Sequence, residues 1–195
     1  MRELSLHILD LLENALEAGA TRVELAILEN LEEDGLSIVV RDNGRGMDEQ
    51  MMEQAVDPFF TTRTTRRVGL GLPLLAAAAQ RCEGDLVVES APGWGTEVRA
   101  AFRRSHLDRA PLGKMADTLL AFLLHKDGTA PELYYQHRVG DRAFELDTAA
   151  VRAELGDIPL SYPPVRGWLY EHIVEGEAEL ASRPQGGNDA KAQVD

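Results

Sequence analysis

A carboxylate and two glycines follow an apolar run in the segment RDNGRGM, residues 41–47. The run LSIVV before it has the composition of a buried strand, so Asp42 is expected where that strand ends. A carboxylate there can accept hydrogen bonds from a donor group on a ligand, and Gly44 and Gly46 allow the backbone to turn tightly and approach that ligand. Two other interpretations remain open: Asn-Gly is a strong β-hairpin signal, and the segment could be a plain strand-to-helix turn.

Asp10 and Asn14 are spaced to lie on one face of a helix, one turn apart. A carboxylate can activate a water molecule as a general base. Asparagine is mildly unfavourable in the middle of a helix, which indicates either a functional role for Asn14 or an ordinary solvated side chain.

The segment TTRTTRRVGLGL, residues 61–72, combines cations with glycines ahead of a helical pattern. A helix that begins after Gly69 and Gly71 could bind phosphate through its free N–H groups and its dipole. The chain is otherwise acidic, yet three arginines stand here: Arg63, Arg66 and Arg67. Arginine can bind phosphate oxygens in a bidentate manner, although a solvated basic loop is the alternative.

The elements that would position these residues follow from hydrophobic periodicity. Helices are predicted over residues 4–18, 47–56 and 70–82, and strands over residues 21–28, 36–41, 85–90 and 96–102. Because neighbouring strands can pair as hairpins and three helices remain to cover one face, we predict an α+β fold, a two-layer α/β sandwich. The helix predicted after RDNGRGM makes a hairpin turn there less favourable, since a hairpin needs a second strand.

Three well-known motifs are absent or incomplete. The chain has no G-x-x-x-x-G-K-[ST] phosphate loop, and GLGLPL lacks the third glycine of a dinucleotide-binding fingerprint. A calcium loop that began at Asp42 would need Asp or Asn at its third position, where Gly44 stands. The chemistry must therefore come from the segments described above, acting together.

Four segments in order, LDLLENA, RDNGRGM, DPFFTTR…VGLGL and GWGT, resemble the GHKL superfamily of ATP-binding domains, which includes DNA gyrase, heat-shock chaperones, MutL-type mismatch-repair ATPases and histidine kinases. The resemblance covers about residues 4–102. Its first half is more similar to the MutL type and its second half to sensor histidine kinases. The family's Bergerat ATP-binding fold, with helices on a mixed, mainly antiparallel sheet, agrees with the predicted element order.

The resemblance implies a site for ATP and Mg²⁺. Asp42 would read the adenine, with Gly44 and Gly46 making room for the purine. Asn14 would hold Mg²⁺ against the phosphates, since this ion takes oxygen ligands and keeps several waters. Thr96, in GWGT, would support the adenine through its hydroxyl or a water.

The resemblance assigns residues 61–72 to a short lid and to phosphate binding. Arg63 matches the family's cation after FFTT and is also a candidate catalytic residue. The residues implied in nucleotide binding here are Thr62, Arg63, Gly69, Leu70 and Gly71. The short lid is more similar to those of some histidine kinases than to the long lid of gyrase.

Asp10 departs from both branches of the family. ATP-hydrolysing members have Glu at this position as a general base, whereas histidine kinases usually have Asn. Glu17 stands where histidine kinases often carry Lys, so one phosphate contact is missing. Asp10 is kept as a candidate catalytic base with a shorter side chain.

The segment SHLDRAPL, residues 105–112, is similar to the phosphoacceptor box SHELRTPL of histidine kinases. It follows the ATP-binding region rather than preceding it, and its acid is displaced by one residue. We therefore expect His106 to be a linker residue and not a phosphoacceptor. His7, inside the first predicted helix, is expected to face the core.

These features favour a stand-alone kinase-type phosphotransfer module or an ATP-gated signalling module. The alternatives are a slow MutL-type ATPase with lid- and dimer-coupled hydrolysis, and a non-catalytic regulator of the anti-sigma-factor kind. A protein partner is expected, and a homodimer is compatible with the sequence.

Charge and composition restrict the partners and the location. The formal net charge of -13 disfavours binding to nucleic acid and to anionic membranes. The chain has one cysteine, so it can form no internal disulfide. The N-terminus does not resemble a signal peptide and no apolar run reaches membrane-spanning length, so a cytoplasmic protein is expected.

The 195 residues suit one domain with an extension. We predict a histidine-kinase-like ATP-binding domain over residues 1–104, a small α+β extension over 105–180 and a disordered tail over 181–195. Within the extension, residues 132–147 are predicted to form a hairpin and Asp147 to cap a helix. His125 and His137 are expected to be surface residues.

Overall fold

The part of the chain that the structure describes forms six helices and six strands. The structure is a computed structural model that describes residues 2–56, 71–125 and 130–182. The helices are α1 (Leu4–Glu17), α2 (Glu49–Val56), α3 (Gly71–Arg81), α4 (Met115–Leu123), α5 (Thr148–Leu155) and α6 (Pro163–Ala181). The strands are β1 (Arg22–Asn30), β2 (Gly35–Asp42), β3 (Leu86–Ala91), β4 (Gly95–Arg103), β5 (Glu132–Val139) and β6 (Arg142–Asp147). Each helix and strand predicted from the sequence is found, with its ends shifted by about one or two residues, as is usual for such boundaries.

The strands form one mixed sheet in the order β3-β4-β2-β1-β5-β6. Every neighbouring pair is antiparallel except β1 and β5, which are parallel. Burial alternates along β1, where Val23, Leu25 and Ile27 are all fully buried on the face that the helices cover. The predicted α+β sandwich is therefore confirmed.

Helix α1 contributes an apolar stripe to the core between helices and sheet. Its buried side chains recur at helical spacing: Leu4, Ile8, Leu11, Leu12 and Ala15. His7 is also buried, with 4% of its surface exposed, as the sequence predicted. Helices α3 and α4 pack against α1, and α6 packs against α4.

The residues between β4 and α4 form turns and extended chain rather than the helix of a phosphoacceptor box. The carbonyl oxygens of Pro111 and Leu112 accept hydrogen bonds from the N–H groups of Leu4 and Ser5, at 2.9 and 2.8 Å. These N–H groups belong to the first turn of α1 and have no partner within the helix. This connection therefore caps the helix that carries Asp10 and Asn14.

The C-terminal strands continue the same sheet, because β5 pairs with β1. The predicted hairpin is confirmed, with its turn at Gly140 and Asp141 between β5 and β6. Asp147 caps α5 as predicted, since its Oδ1 accepts the N–H of Ala149 at 2.9 Å. The division of the chain at residues 104 and 105 into two domains remains a prediction.

The prediction that His137 lies on the surface is wrong. His137 is 4% exposed and lies on the inner face of β5, opposite Ile27 in the ladder. Its Nδ1 is 2.9 Å from Glu177 of α6, and its Nε2 is 3.3 Å from Glu29 of β1. Despite burial, these two carboxylates raise the pKa of His137 to about 9. The spacing of the histidines along the chain carried no information about which face of the sheet each would occupy.

None of the described helices combines the length and apolar character that crossing a bilayer requires.

Candidate functional site

Asp42 is the last residue of β2 and shares the inner face of the sheet with its ladder partners Val23 and Thr96. Its Oδ1 accepts the N–H of Gly44 at 2.8 Å. Burial raises the pKa of the Asp42 carboxyl, and the backbone N–H groups of Gly44 and Thr96 partly oppose that rise. The half-buried carboxylate keeps one oxygen free of this loop contact, and that oxygen can accept a hydrogen bond from a ligand.

Packing of the backbone requires both glycines of the loop after Asp42. A Cβ on Gly44 would lie 2.7 Å from the Cβ of Ala18, at the end of α1. Gly46 has a φ of 68°, and a Cβ there would overlap the carbonyl oxygen of Ala91. The loop is therefore pressed between α1 and the β3–β4 turn. The further role of these glycines in admitting a purine remains a prediction.

Asn43 fixes the same loop to the start of β1. Its Oδ1 accepts the N–H groups of Thr21 and Arg22, each at 2.9 Å, and its Nδ2 donates to Thr21 Oγ1 at 2.9 Å. Sequence reasoning did not single out this residue. The only available signal was the preference of asparagine for hydrogen bonding in turns.

Thr96 lies between Asp42 and Ser90 across three neighbouring strands. The Ser90 hydroxyl is 2.9 Å from Thr96 Oγ1, accepts the N–H of Met47 at 2.9 Å and donates to the carbonyl of Gly95 at 2.8 Å. Sequence reasoning predicted Thr96 as a site residue but missed Ser90. The alternation of side chains along β3 could have predicted that Ser90 lies on the inner face of the sheet, but it could not have predicted the hydrogen-bond partners of Ser90.

The C-terminal half of α1 lies between the Asp42 loop and the N-terminus of α3. At its C-terminal end, the carbonyl oxygens of Glu17 and Ala18 accept hydrogen bonds from Arg45, at 2.8 and 3.0 Å. Further along α1, a Cβ on Gly71, the first residue of α3, would lie 3.4 Å from Asp10 Oδ2. Half-buried Asn14 lies between these two contacts along the helix. The structure thus brings Asp42 and Thr96 together at the C-terminal end of α1, and Asp10 and Gly71 together near the middle of that helix.

Burial raises the pKa of the Asp10 carboxyl, and the nearby charge of Glu13 raises it further. A carboxylate with a raised pKa is a better proton acceptor than an ordinary exposed one. Asp10 lies beside the first turn of α3. The backbone N–H groups of that turn lack helical partners and suit a phosphate, which would then lie near the Asp10 carboxyl group.

Four predicted nucleotide-binding residues lie outside the described residues: Thr62, Arg63, Gly69 and Leu70. Arg66 and Arg67 lie there as well. Their proposed contacts with phosphate therefore remain predictions.

Within residues 2–56, 71–125 and 130–182, no group of three or more His, Cys, Asp or Glu side chains is arranged to hold a metal ion. Mg²⁺ commonly binds proteins through one or two oxygen ligands together with substrate phosphates and water. A single half-buried amide, Asn14, fits that mode of binding.

Comparison with known proteins finds relatives of the N-terminal half of the chain. A family model described as histidine kinase-, DNA gyrase B-, and HSP90-like ATPase matches residues 2–106. The chain is 40% identical over 77 residues to the tetrathionate sensor histidine kinase TtrS of Salmonella typhimurium, which aligns 40% of this chain with 12% of that protein. It is 40% identical over 89 residues to the sensor protein kinase FleS of Pseudomonas aeruginosa, which aligns 46% of this chain with 22% of that protein. The chain thus spans less than a quarter of the length of either relative.

A solved structure, the N-terminal domain of a DNA repair protein, has a similar fold with a TM-score of 0.51 and 15% sequence identity. The likeness covers 75% of this chain and 52% of that one. Because the family model matches more than half of the residues and the fold agrees, the chain belongs to the family of histidine kinase-, DNA gyrase B- and HSP90-like ATPases, and it carries the ATP-binding module of that family.

Proposed function

We propose that this chain binds Mg-ATP with the adenine at Asp42 and the phosphates along α1 toward the N-terminus of α3. It would use the nucleotide for kinase-type phosphotransfer to a separate protein partner, or as an ATP-gated signalling module. The observation that carries this proposal is the half-buried Asp42 carboxylate, which lies on the inner face beside Thr96 at the end of β2. Similarity to two sensor kinases supports the signalling role.

Each proposed site residue would contact a different part of the bound nucleotide. Asp42 and Thr96 would hold the base, and the first turn of α3 would face the phosphates. Asn14 would supply an oxygen ligand to Mg²⁺, and the bound ion would neutralise phosphate charge. Arg63 would add a cation to the phosphates. Phosphotransfer needs mainly such positioning and charge stabilisation from the protein.

A second candidate function, slow MutL-type ATP hydrolysis coupled to lid closure and dimer formation, is favoured by one observation. Asp10 has a raised pKa and lies against the first residue of α3. A base at this place could deprotonate a water beside the terminal phosphate. The shorter reach of Asp compared with Glu is consistent with slow hydrolysis.

Calorimetric titration with Mg-ATP tests the binding site. In Asp42→Asn the amide oxygen would keep the bond from the Gly44 N–H, and the amide N–H₂ group would then face the amino group of the adenine. Two donors would oppose each other, so the affinity for Mg-ATP should fall by about 100-fold or more. Asp141→Asn, in the exposed β5–β6 turn, is the matched control and should bind like the wild type. Unchanged affinity in Asp42→Asn would overturn the proposed site.

The fate of ATP labelled at the γ-phosphate separates the functions. Release of free phosphate that Asp10→Asn abolishes would identify the ATPase. Acid-labile label on the wild type but not on His106→Ala would show that the segment 105–112 is a displaced acceptor box. Label that passes only to an added partner protein would identify the kinase, and binding without turnover would leave an ATP-gated regulator.

A further inference from the structure

The hydroxyl of Ser90 has three hydrogen-bond partners close to Asp42. It lies 2.9 Å from the N–H of Met47, 2.8 Å from the carbonyl oxygen of Gly95 and 2.9 Å from Thr96 Oγ1. Ser90 is opposite Thr96 in the β3–β4 ladder, and Thr96 is opposite Asp42 in the β4–β2 ladder. The three polar side chains therefore form one row on the inner face of the sheet.

The protons of this row follow from the partners when all three contacts of Ser90 are hydrogen bonds. A serine hydroxyl has one proton to donate and two lone pairs that accept. The Gly95 carbonyl only accepts and the Met47 N–H only donates, so Ser90 gives its proton to Gly95 and accepts from Met47. The remaining contact is a hydrogen bond only if Thr96 donates to Ser90. Thr96 then offers lone pairs, and no proton, to anything bound beside Asp42.

We propose that Ser90 is a positioning residue that makes the Asp42–Thr96 pair accept hydrogen bonds only, and thereby sets its preference for a 6-aminopurine over a 6-oxopurine. This inference rests on the proposed binding of ATP at Asp42. An ionised carboxylate also only accepts, so both groups favour the N–H donors of a 6-amino group. The oxygen of a 6-oxopurine would point its lone pairs at the lone pairs of Asp42 and Thr96, and its single N1–H donor could satisfy only one of the two acceptors. Specificity of this kind is a difference between two affinities, and part of it is repulsion of the wrong ligand.

The test compares Mg-ATP with Mg-ITP, whose base carries oxygen in place of the amino group. In Ser90→Ala the Thr96 hydroxyl is free to rotate and donate to that oxygen. We expect the ratio of ATP affinity to ITP affinity to fall by about tenfold or more, with part of the change arising from tighter ITP binding. Simple loosening of the Met47 loop would weaken both nucleotides alike and leave the ratio unchanged.

Two further variants make the result specific. Thr96→Val combined with Ser90→Ala removes the donor, so the gain in ITP affinity should disappear. Ser37→Ala, on the opposite face of the sheet, should leave both affinities unchanged. If Ser90→Ala does not fold, Ser90→Cys keeps a side chain of similar shape with a much weaker donor and acceptor.

A ratio in Ser90→Ala within about twofold of the wild type would overturn the inference, as would a gain in ITP affinity that persists without the Thr96 hydroxyl. Failure of the wild type to bind either nucleotide is a different result, because it would overturn the proposed function itself.

Discussion

Gly71, the first residue of α3, lies against the carboxyl group of Asp10 on α1. A Cβ atom on Gly71 would be 3.3 Å from Asp10 Cβ and 3.4 Å from Asp10 Oδ2. The first turn of α3 has N–H groups without helical partners, and such groups can bind a phosphate. Asp10, the residue that the sequence predicts as a catalytic base, lies beside this turn. The missing side chain at position 71 thus sets how near the helix N-terminus comes to the proposed base.

Gly71→Ala should lower phosphate release by about tenfold or more if Asp10 activates water, because the added methyl would meet Asp10 Cβ at 3.3 Å and must shift that side chain, with its carboxyl group, by a few tenths of an ångström. Labelled phosphate release measures the effect. Gly167→Ala is the matched control, since a Cβ at this helical glycine meets no atom within 4 Å. That control should keep full turnover and gain about 0.5–1 kcal/mol in the free energy of unfolding. Equal turnover in both variants would argue against a role for the Gly71–Asp10 contact.

Asp10→Asn should reduce hydrolysis by about 100-fold or more while Mg-ATP still binds. The base acts as the carboxylate, so the rate should rise with pH through the pKa of Asp10. Burial and then the charge of Glu13 raise that pKa, which places the acid limb of the pH–rate profile above the ordinary aspartate range. Glu13→Gln removes one of these causes and should move the limb to lower pH. An acid limb that Glu13→Gln leaves in place would contradict the assignment of Asp10 as the titrating base.

The sequence predicted the elements because hydrophobic periodicity is a local property. The roles of Asn14 and Thr96 came from the family resemblance and remain predictions. Asp42 could be placed at the end of β2, and Asp147 at the start of α5, from neighbouring residues alone. The contacts of Asn43 with Thr21 and of Ser90 with Met47 could not be predicted in the same way, since these residues are 22 and 43 positions apart in the chain. Such contacts depend on the register between strands that only the assembled sheet defines.

His137 shows the same limit for a buried charge. Its environment is made by Glu29 of β1 and Glu177 of α6, and two more groups complete it. Tyr135 donates to Glu177 Oε1 and Arg104 to Glu29 Oε2, each at 2.5 Å. No pattern near residue 137 indicates that segments so far apart in the chain meet there. Sequence reasoning therefore treated a buried cation as a surface residue.

The free energy of unfolding should fall as pH rises from about 6.5 to about 9. The folded pKa of His137 is about 9 and its ordinary value is 6.5, so the stabilisation is complete below 6.5 and is lost above the folded value. Glu29 has the opposite sign: its pKa is lowered from 4.5 to about 2, so its contribution is complete above 4.5 and is lost toward 2. Both contributions are present together between about 4.5 and 6.5, where urea unfolding should show the highest stability.

His137→Gln should remove the part of this pH dependence that lies between about 6.5 and 9, a contribution on the order of 3 kcal/mol. It should also destabilise the protein at pH 6, because Glu29 and Glu177 would then face a neutral group in a buried place. Exposed His125→Gln is the matched control and should leave the stability profile unchanged. A His137→Gln profile parallel to that of the wild type would show that another group titrates in this range.

Leu119→Ala tests whether the residues after the family match share one core with the ATP-binding region. Leu119 of α4 is fully buried, and α4 packs against α1, which carries Asp10 and Asn14. The substitution should cost about 2–5 kcal/mol of the free energy of unfolding, since it leaves a cavity. Leu107→Ala, at a residue that is 100% exposed, should cost close to nothing.

The same unfolding curves distinguish one cooperative unit from two. If the whole sheet unfolds together, Leu119→Ala should shift a single transition, seen alike by circular dichroism and by Mg-ATP binding. The reason is structural: β5 pairs with β1, and the carbonyl groups of Pro111 and Leu112 cap α1. Two transitions would instead support the predicted division at residues 104 and 105, provided that Leu119→Ala shifts only the transition that does not affect Mg-ATP binding.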